Sequence, residues 1–468
     1  MAVNVEISMC DRLRRNPLFR VCRPFLVLMR VGGAFYVPVH AILADEPNVD
    51  DEDQQSLQCS LEKASAQRTR QRWRPRSKME KFELASKGYC LFSLFCVLVY
   101  TGRFVFGLAY MLPDQFSTFN SGQDLARLLS KIAIAVWFLN VIVVQLIFLR
   151  ACWDKSKFYN LFIKWEEWRY ISRNSKCTAF AERFLPRRNV VTALAVILLI
   201  PQLLSVWLPV LYNGPGMGSL RSMHFEGFSP DNAAVVAVVV IGHFFASFVY
   251  IVPVFLLALI GLAIESEFLR LDLDLFLNLT KEGRMEPGMI ECFRQRHGKL
   301  CDFLELADEV FSLFCLITIG AGVFEIFSLV FVVCALRTDG ERGVAMTFVQ
   351  IFWFFLYVLQ PWVVLWTGMR VNEAAHRPLS QLYRVDQSKL PQQETLQLHC
   401  FIGRLTGSRL GFTAWRMFTI DATSLLSLLG LYVTYQLLLF QVQIDLTPDS
   451  PILQFASGTS RNNLNVSL

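Results

Sequence analysis

Several kinds of chemistry have no foothold in this sequence. Its six histidines (His40, His224, His243, His297, His376, His399) are scattered, with no H-x-x-x-H spacing that would set two imidazoles on one helix face. No Cys-x-x-Cys pair, Walker loop or G-x-S-x-G elbow occurs. Gly214-Pro-Gly-Met-Gly218 is glycine-rich, but no strand precedes it and no helix follows to cradle a phosphate, so it reads as a plain loop. These absences argue against an enzyme and against a metal, a cofactor or a nucleic-acid partner. Charge is scarce as well. Only 18% of the 468 residues are charged, against roughly a quarter in soluble chains. What fills the space is apolar: 54% of residues are hydrophobic, 40 of them Phe, and mean hydropathy is +0.40. One or two water-soluble domains cannot hide that much apolar surface, so a cytosolic enzyme, a disordered chain and a secreted disulfide scaffold are excluded. A polytopic membrane protein remains.

A spanning helix needs about 20 mostly apolar residues. Seven stretches qualify, at 87–112, 125–150, 190–212, 233–264, 311–336, 344–368 and 418–443. The fourth has His243 as its one ionisable group and is long enough to run on beyond the bilayer. An eighth candidate, 25–36, is too short and carries Arg30 at its centre, so it reads as an amphipathic helix at the inner interface. Arginines at 12, 14, 15 and 20 precede it with no convincing cleavage site after it, which is unlike a signal peptide.

Basic residues set the orientation. They crowd the N-terminal region (Arg68 to Lys81), the second connection (Lys155 to Arg188), the fourth (Lys281 to Lys299) and the sixth (Arg377 to Arg409). The opposite side holds Arg221 and Arg461, with Arg337 and Arg342 a small exception. The expected arrangement is a cytoplasmic N-terminus and an extracellular C-terminus. None of the twelve cysteines falls in an expected extracellular loop, consistent with that assignment.

The inner connections differ in kind. Residues 46–78 are polar, acidic at the start and basic at the end, as in a flexible linker. By contrast 158–170, 289–310 and the stretch from Leu396 repeat apolar residues at helical spacing, which predicts helices extending the spans as an intracellular scaffold. The expected organisation is a cytosolic segment with an interfacial helix (1–42), a linker (43–84), a six-span ligand-binding unit with helical extensions (85–415), a pore-lining seventh span (416–445) and an extracellular tail (446–468).

Seven spans also suit a G-protein-coupled receptor, but that class has its N-terminus outside, and Asn-Pro-x-x-Tyr is missing from span seven. A secondary transporter would show paired halves with interrupted helices, and no such repeat is visible. Span seven instead contains Thr434-Tyr435-Gln-Leu-Leu-Leu-Phe-Gln441-Val442. This resembles the signature of the arthropod gustatory receptor family, Thr-Tyr, five mostly apolar residues, then Gln-Phe, with Val442 in place of Phe. Val371-Asn-Glu-Ala374, the helix from His297 to Phe311 and the N-terminal Arg-Pro-Phe…Gly-Gly segment are also similar to that family. The resemblance covers most of the chain by topology and about the last hundred residues by motif. It implies an all-α seven-transmembrane receptor that forms a tetrameric, ligand-gated cation channel in the plasma membrane of a sensory cell. Four seventh spans would line the pore, as a homo- or hetero-tetramer, and the first six would enclose a pocket for a small tastant. Glu373 to Val385 and the span-seven motif are similar to the sugar-receptor branch, which usually has Glu where this chain has Gln436. Receptors for bitter or other small molecules are the alternative within the family.

A pore built of one helix per subunit exposes apolar rings that gate by dewetting or polar rings that replace hydration. Leu438 and Val442 share a face, with Gln441 beside them and Asp445 beyond. We expect a Val442 constriction, a Gln441 polar ring and an acidic Asp445 vestibule favouring cations. For the pocket, polar groups inside spans are costly and therefore informative. Gln350 and Trp353, one turn apart, are similar to a pair that sugar-binding relatives present to ligand. Glu325 lies mid-span and needs a partner, for which Arg103 is the obvious cation. His243, Asn140, Trp137 and Trp207 complete the candidates. The competing reading for each Trp or His is packing or interfacial anchoring.

Overall fold

In hydrocarbon every backbone N–H and C=O must be satisfied within its own segment, so long apolar runs fold as helices. A computed structural model describes residues 16–36, 74–117, 122–153, 157–171, 180–211, 221, 225, 232–279, 285–335, 344–407 and 409–445. The helices are α1 (Pro17–Val31), α2 (Arg74–Ser117), α3 (Gly122–Trp153), α4 (Lys157–Ile171), α5 (Phe180–Leu211), α6 (Ala233–Asn278), α7 (Met289–Ala335), α8 (Val344–His376), α9 (Pro378–Leu382), α10 (Gln392–Gly407) and α11 (Ala422–Asp445). A two-stranded antiparallel hairpin, β1 (Thr413–Ala414) and β2 (Phe418–Thr419), precedes α11. Helices α2, α3, α5, α6, α7 and α8 are long and apolar enough to cross a membrane, and α11 contributes a shorter apolar stretch, Ala422–Leu438. The chain is an all-α, multi-pass membrane protein.

Helix α6 is the hub. Apolar on every side, it is buried along most of its length and packs against α1, α2, α3, α5, α7 and α8. At Gly242 helix α2 comes so close that a Cβ would lie 2.5 Å from the Cβ of Tyr100. The N-terminal helix is amphipathic, but it runs over Pro17–Val31 and not over the expected 25–36, because it is capped by Asn16 and ends at Gly32. Asn16 caps α1 by accepting from the Phe19 N–H (3.1 Å), and Pro17 opens its first turn. Leu18, Val21, Cys22, Phe25, Leu26 and Met29 form the buried stripe, while Arg20, Arg23 and Arg30 face outward. The chain leaves α1 through Gly33, at φ +70°, where a Cβ would stand 2.2 Å from that of Ser93. Ser93 Oγ donates to the Gly32 carbonyl (2.9 Å) and Tyr89 OH to that of Val31 (2.7 Å), clamping α1 to α2.

The predicted extensions are helical. Phe158, Leu161, Phe162, Trp165 and Trp168 of α4 are buried, with the Trp165 ring 5.0 Å from Phe303 of α7. Helix α7 runs unbroken from the extension into span five. Leu398, Phe401 and Leu405 bury one face of α10.

Two further boundaries are corrected. Helix α2 begins at Arg74, inside the expected linker, where Pro75 suits a first turn and good helix formers follow. Span seven does not begin at Phe418, because the β1–β2 turn intervenes and the helix starts at Ala422. Trp415 and Arg416 sit at φ 49° and 60° in that turn, a left-handed pair normally given to Gly or Asn. The turn is held by α7: the Asp308 carboxylate accepts from the Thr413 N–H (2.6 Å) and hydroxyl (2.8 Å), and the Ser312 carbonyl accepts from the Trp415 N–H (2.9 Å). Residues 43–73 of the expected linker and the tail at 446–468 lie outside the described residues.

Candidate functional site

Five other spanning helices crowd around α6, and polar side chains inside that bundle have no water to turn to. His243, Ser247 and Tyr250 lie on one α6 face at helical spacing, and all three are buried. His243 Nε2 lies 3.0 Å from the Gln202 carbonyl of α5. A carbonyl can only accept, so Nε2 carries the hydrogen and Nδ1 is a bare acceptor. Ser247 donates to the His243 carbonyl (2.8 Å) and lies 3.1 Å from Nε2. Tyr250 donates to Glu325 Oε2 of α7 at 3.0 Å. The Asn140 side chain of α3 faces the same carboxyl. Trp137 of α3 lies between the α6 groups, 5.8 Å from the His243 ring and 5.6 Å from that of Tyr250. Tyr357 of α8 closes the far side, 6.4 Å from Tyr250.

The structure therefore joins Asn140, Trp137, His243 and Glu325 in one network. It does not pair Glu325 with Arg103. The carboxyl is fully buried and turned to Tyr250 and Asn140, whereas the Arg103 guanidinium lies over the rings of Tyr100 (6.0 Å) and Phe225 (5.8 Å). An uncharged hydroxyl meets the carboxyl in place of a cation. Trp353 of α8 is buried and its indole N–H donates to Ser205 Oγ of α5 (3.3 Å), with buried Gln350 one turn away. Trp207 donates to the Val240 carbonyl (3.3 Å) and stacks on Phe244 (6.2 Å), an anchoring contact between α5 and α6.

Among the described residues, four buried acceptors of this region have no hydrogen-bond partner: Asn140 Oδ1, Gln202 Oε1, His243 Nδ1 and Glu325 Oε1. Leaving such groups unmade costs about 1–3 kcal/mol each. They come from α3, α5, α6 and α7. Sequence reasoning missed Gln202, Ser205, Ser247, Tyr250 and Tyr357. The signal for Ser247 and Tyr250 was present, since they follow His243 by four and seven residues on one helix face.

Helix α11 is a different surface. None of its described side chains is buried, although it is apolar. Leu425, Leu428, Tyr432 and Gln436 form the half-covered stripe, and Phe327 of α7 packs on Tyr432 (5.5 Å) and Tyr435 (5.3 Å). Leu437, Leu438 and Gln441 are exposed, and Thr434 returns its hydroxyl to the Gly430 carbonyl (2.9 Å). Both amide atoms of Gln436 lack partners among the described residues. Val442 and Asp445 fall on the last turns of α11, and their side chains lie outside the described residues.

Comparison with known proteins agrees with this architecture. Residues 81–446 match the family described as 7tm Chemosensory receptor. A Caenorhabditis elegans protein described as a probable G-protein coupled receptor, egl-47, is 30% identical over 88 residues, 19% of this chain and 17% of its own. The Drosophila melanogaster gustatory receptor for sugar taste 61a is 26% identical over 166 residues, 34% and 35% of the two chains. The matched region thus spans about a third or less of each curated relative. The olfactory receptor OR5 of Machilis hrabei shares the fold, with a TM-score of 0.62 in complex with eugenol and 0.59 in a second structure. Both are 14% identical, and each alignment covers 93% of this chain and 99% of the other. With a family match running from the start of the first span to the end of the seventh, the chain belongs to the 7tm chemosensory receptor family.

Proposed function

We propose that this chain is a subunit of a tetrameric, ligand-gated cation channel in the plasma membrane, opened by a small polar tastant, with a sugar as the favoured class. The observation that carries this reading is the set of four unpartnered acceptors on α3, α5, α6 and α7. A polyol brings several hydroxyl donors at once, and the indole faces of Trp137 and Trp353 suit the apolar side of a pyranose or furanose ring. The sugar-taste relative supports the same class. Channel formation is supported by α11, an apolar helix with no buried residue among its described positions, whose open faces suit copies of itself around an axis. Leu438 and Gln441 would then face the pore, with Val442 as the constriction and Asp445 as the outer acidic ring. The charge distribution supports a cytoplasmic N-terminus and an extracellular C-terminus.

Two rival readings each have a specific observation behind them. The eugenol complex of the olfactory receptor favours a less polar ligand, and the C. elegans relative favours signalling through a G protein. Whole-cell currents in cells devoid of G-protein signalling, tested sugar by sugar and with eugenol, separate the three. The proposal expects sugar-evoked cation currents. Currents evoked by eugenol alone would overturn the sugar assignment, and silence towards every ligand despite surface expression would overturn the channel.

A further inference from the structure

Two grooves flank α5 near its start, and they differ in charge. The groove towards α6 and α8 is lined by Arg187, Arg270 and Arg370 but also by Glu265, Glu267 and Asp274. Its arginines are largely answered: Arg370 pairs with Glu265, and Arg270 lies 3.9 Å from Glu267. The groove towards α1, about 540 Å³, holds Arg20 and Arg23 from the outer face of α1 and Arg188 from α5, and no carboxylate lines it. No ion pair to any of the three is present among the described residues. Asn189 Oδ1 accepts from Arg188 Nε (3.1 Å) and Nη2 (2.8 Å), which orients that guanidinium. Apart from Thr192, the rest of the groove is apolar and open, with Val27 52%, Leu185 37% and Val196 37% exposed.

We propose that this α1–α5 cleft binds a phosphoinositide of the inner leaflet, its phosphorylated headgroup among Arg20, Arg23 and Arg188 and its acyl chains along Val27, Leu185 and Val196. The assignment rests on the N-terminus-inside reading above, which sets α1 at the inner interface. Basic pockets at that level bind anionic headgroups. Guanidinium forks bind phosphate oxygens bidentately. Three such forks with no carboxylate match a headgroup with several phosphate charges. Phosphatidylserine, with one net charge and an ammonium of its own, leaves them underused. Because α1 is clamped to α2 and packed on the hub helix, the lipid would tie the N-terminal helix to span three.

The test is native mass spectrometry of the detergent-solubilised full chain with phosphatidylinositol 4,5-bisphosphate, phosphatidylserine or phosphatidylcholine. The bisphosphate is expected to give the dominant adduct. Replacing two arginines (Arg23→Gln with Arg188→Gln) should weaken it about thirtyfold, which is what roughly 1 kcal/mol per basic residue predicts. Arg187→Gln, in the other groove, should leave it within twofold. Equal binding of phosphatidylserine, or a double variant that binds as the parent does, overturns the proposal. Soluble inositol 1,4,5-trisphosphate competing as strongly as the lipid would overturn the lipid assignment in favour of a free phosphate site. Should the double variant fail to fold, the lipid preference of the unmodified protein still decides. The readout needs no current, so a silent channel would count against the proposed function alone.

Discussion

Replacing Glu325 by Gln separates a ligand contact from a packing group. The carboxyl is fully buried, accepts Tyr250 at 3.0 Å and leaves Oε1 without a partner. Gln keeps an acceptor oxygen for Tyr250 and turns the open position into an N–H donor. A ligand hydroxyl hydrogen-bonded to this position is worth about 0.5–1.5 kcal/mol, so its loss should raise the half-maximal sugar concentration roughly two- to tenfold. Folding should not suffer, since Gln matches the side chain in size and keeps an acceptor oxygen for Tyr250. Dose–response currents give the first quantity and fluorescence-detected thermal unfolding in detergent gives the second. Stability falling by 1–3 kcal/mol with an unchanged dose–response would refute the reasoning and leave Glu325 a purely structural group.

Exchanging Arg103 and Glu325 (Arg103→Glu with Glu325→Arg) should not restore the folding that either change alone removes, because the two do not pair; recovery of surface expression in the double variant would contradict this. Asp308→Ala strands the half-buried Thr413 N–H and should cost about 1 kcal/mol, loosening the turn ahead of α11; an unchanged thermal midpoint would count against that bracing. His297, outside the spans, lies 3.1 Å from the Ala375 carbonyl, and burial, with Arg404 and His376 adding like charge, pushes its pKa down to about 4. The fold favours neutral imidazole, so stability is full above the unfolded pKa near 6.5 and drains as pH falls towards 4, by at most ~3 kcal/mol. His297→Gln should flatten that slope, and an equally steep acid transition in the variant would assign it elsewhere.

The spans were legible because hydrocarbon allows one answer to a long apolar run, and α4, α7 and α10 followed from apolar residues at helical spacing. The start of α11 was not, since Trp415 and Arg416 carry no turn signal. Their left-handed backbone is held from α7 by Asp308 and Ser312, more than a hundred residues earlier. Within the candidate site, single polar residues stood out against apolar spans, so Glu325, Asn140, Trp137 and His243 could be picked. Their partners could not, because opposite charge made Arg103 look natural while the fold brought up Tyr250. Hydroxyls such as Ser205, Ser247 and Tyr250 are unremarkable in sequence and become informative only once the helices are packed.

Purified receptor in planar bilayers of defined lipid, with no other protein present, tests the channel claim most directly. Sugar applied to the face that carries the C-terminus should evoke unitary cation currents, and Asp445→Asn should lower cation preference. A bilayer that stays silent, although the same preparation binds sugar, would contradict the account.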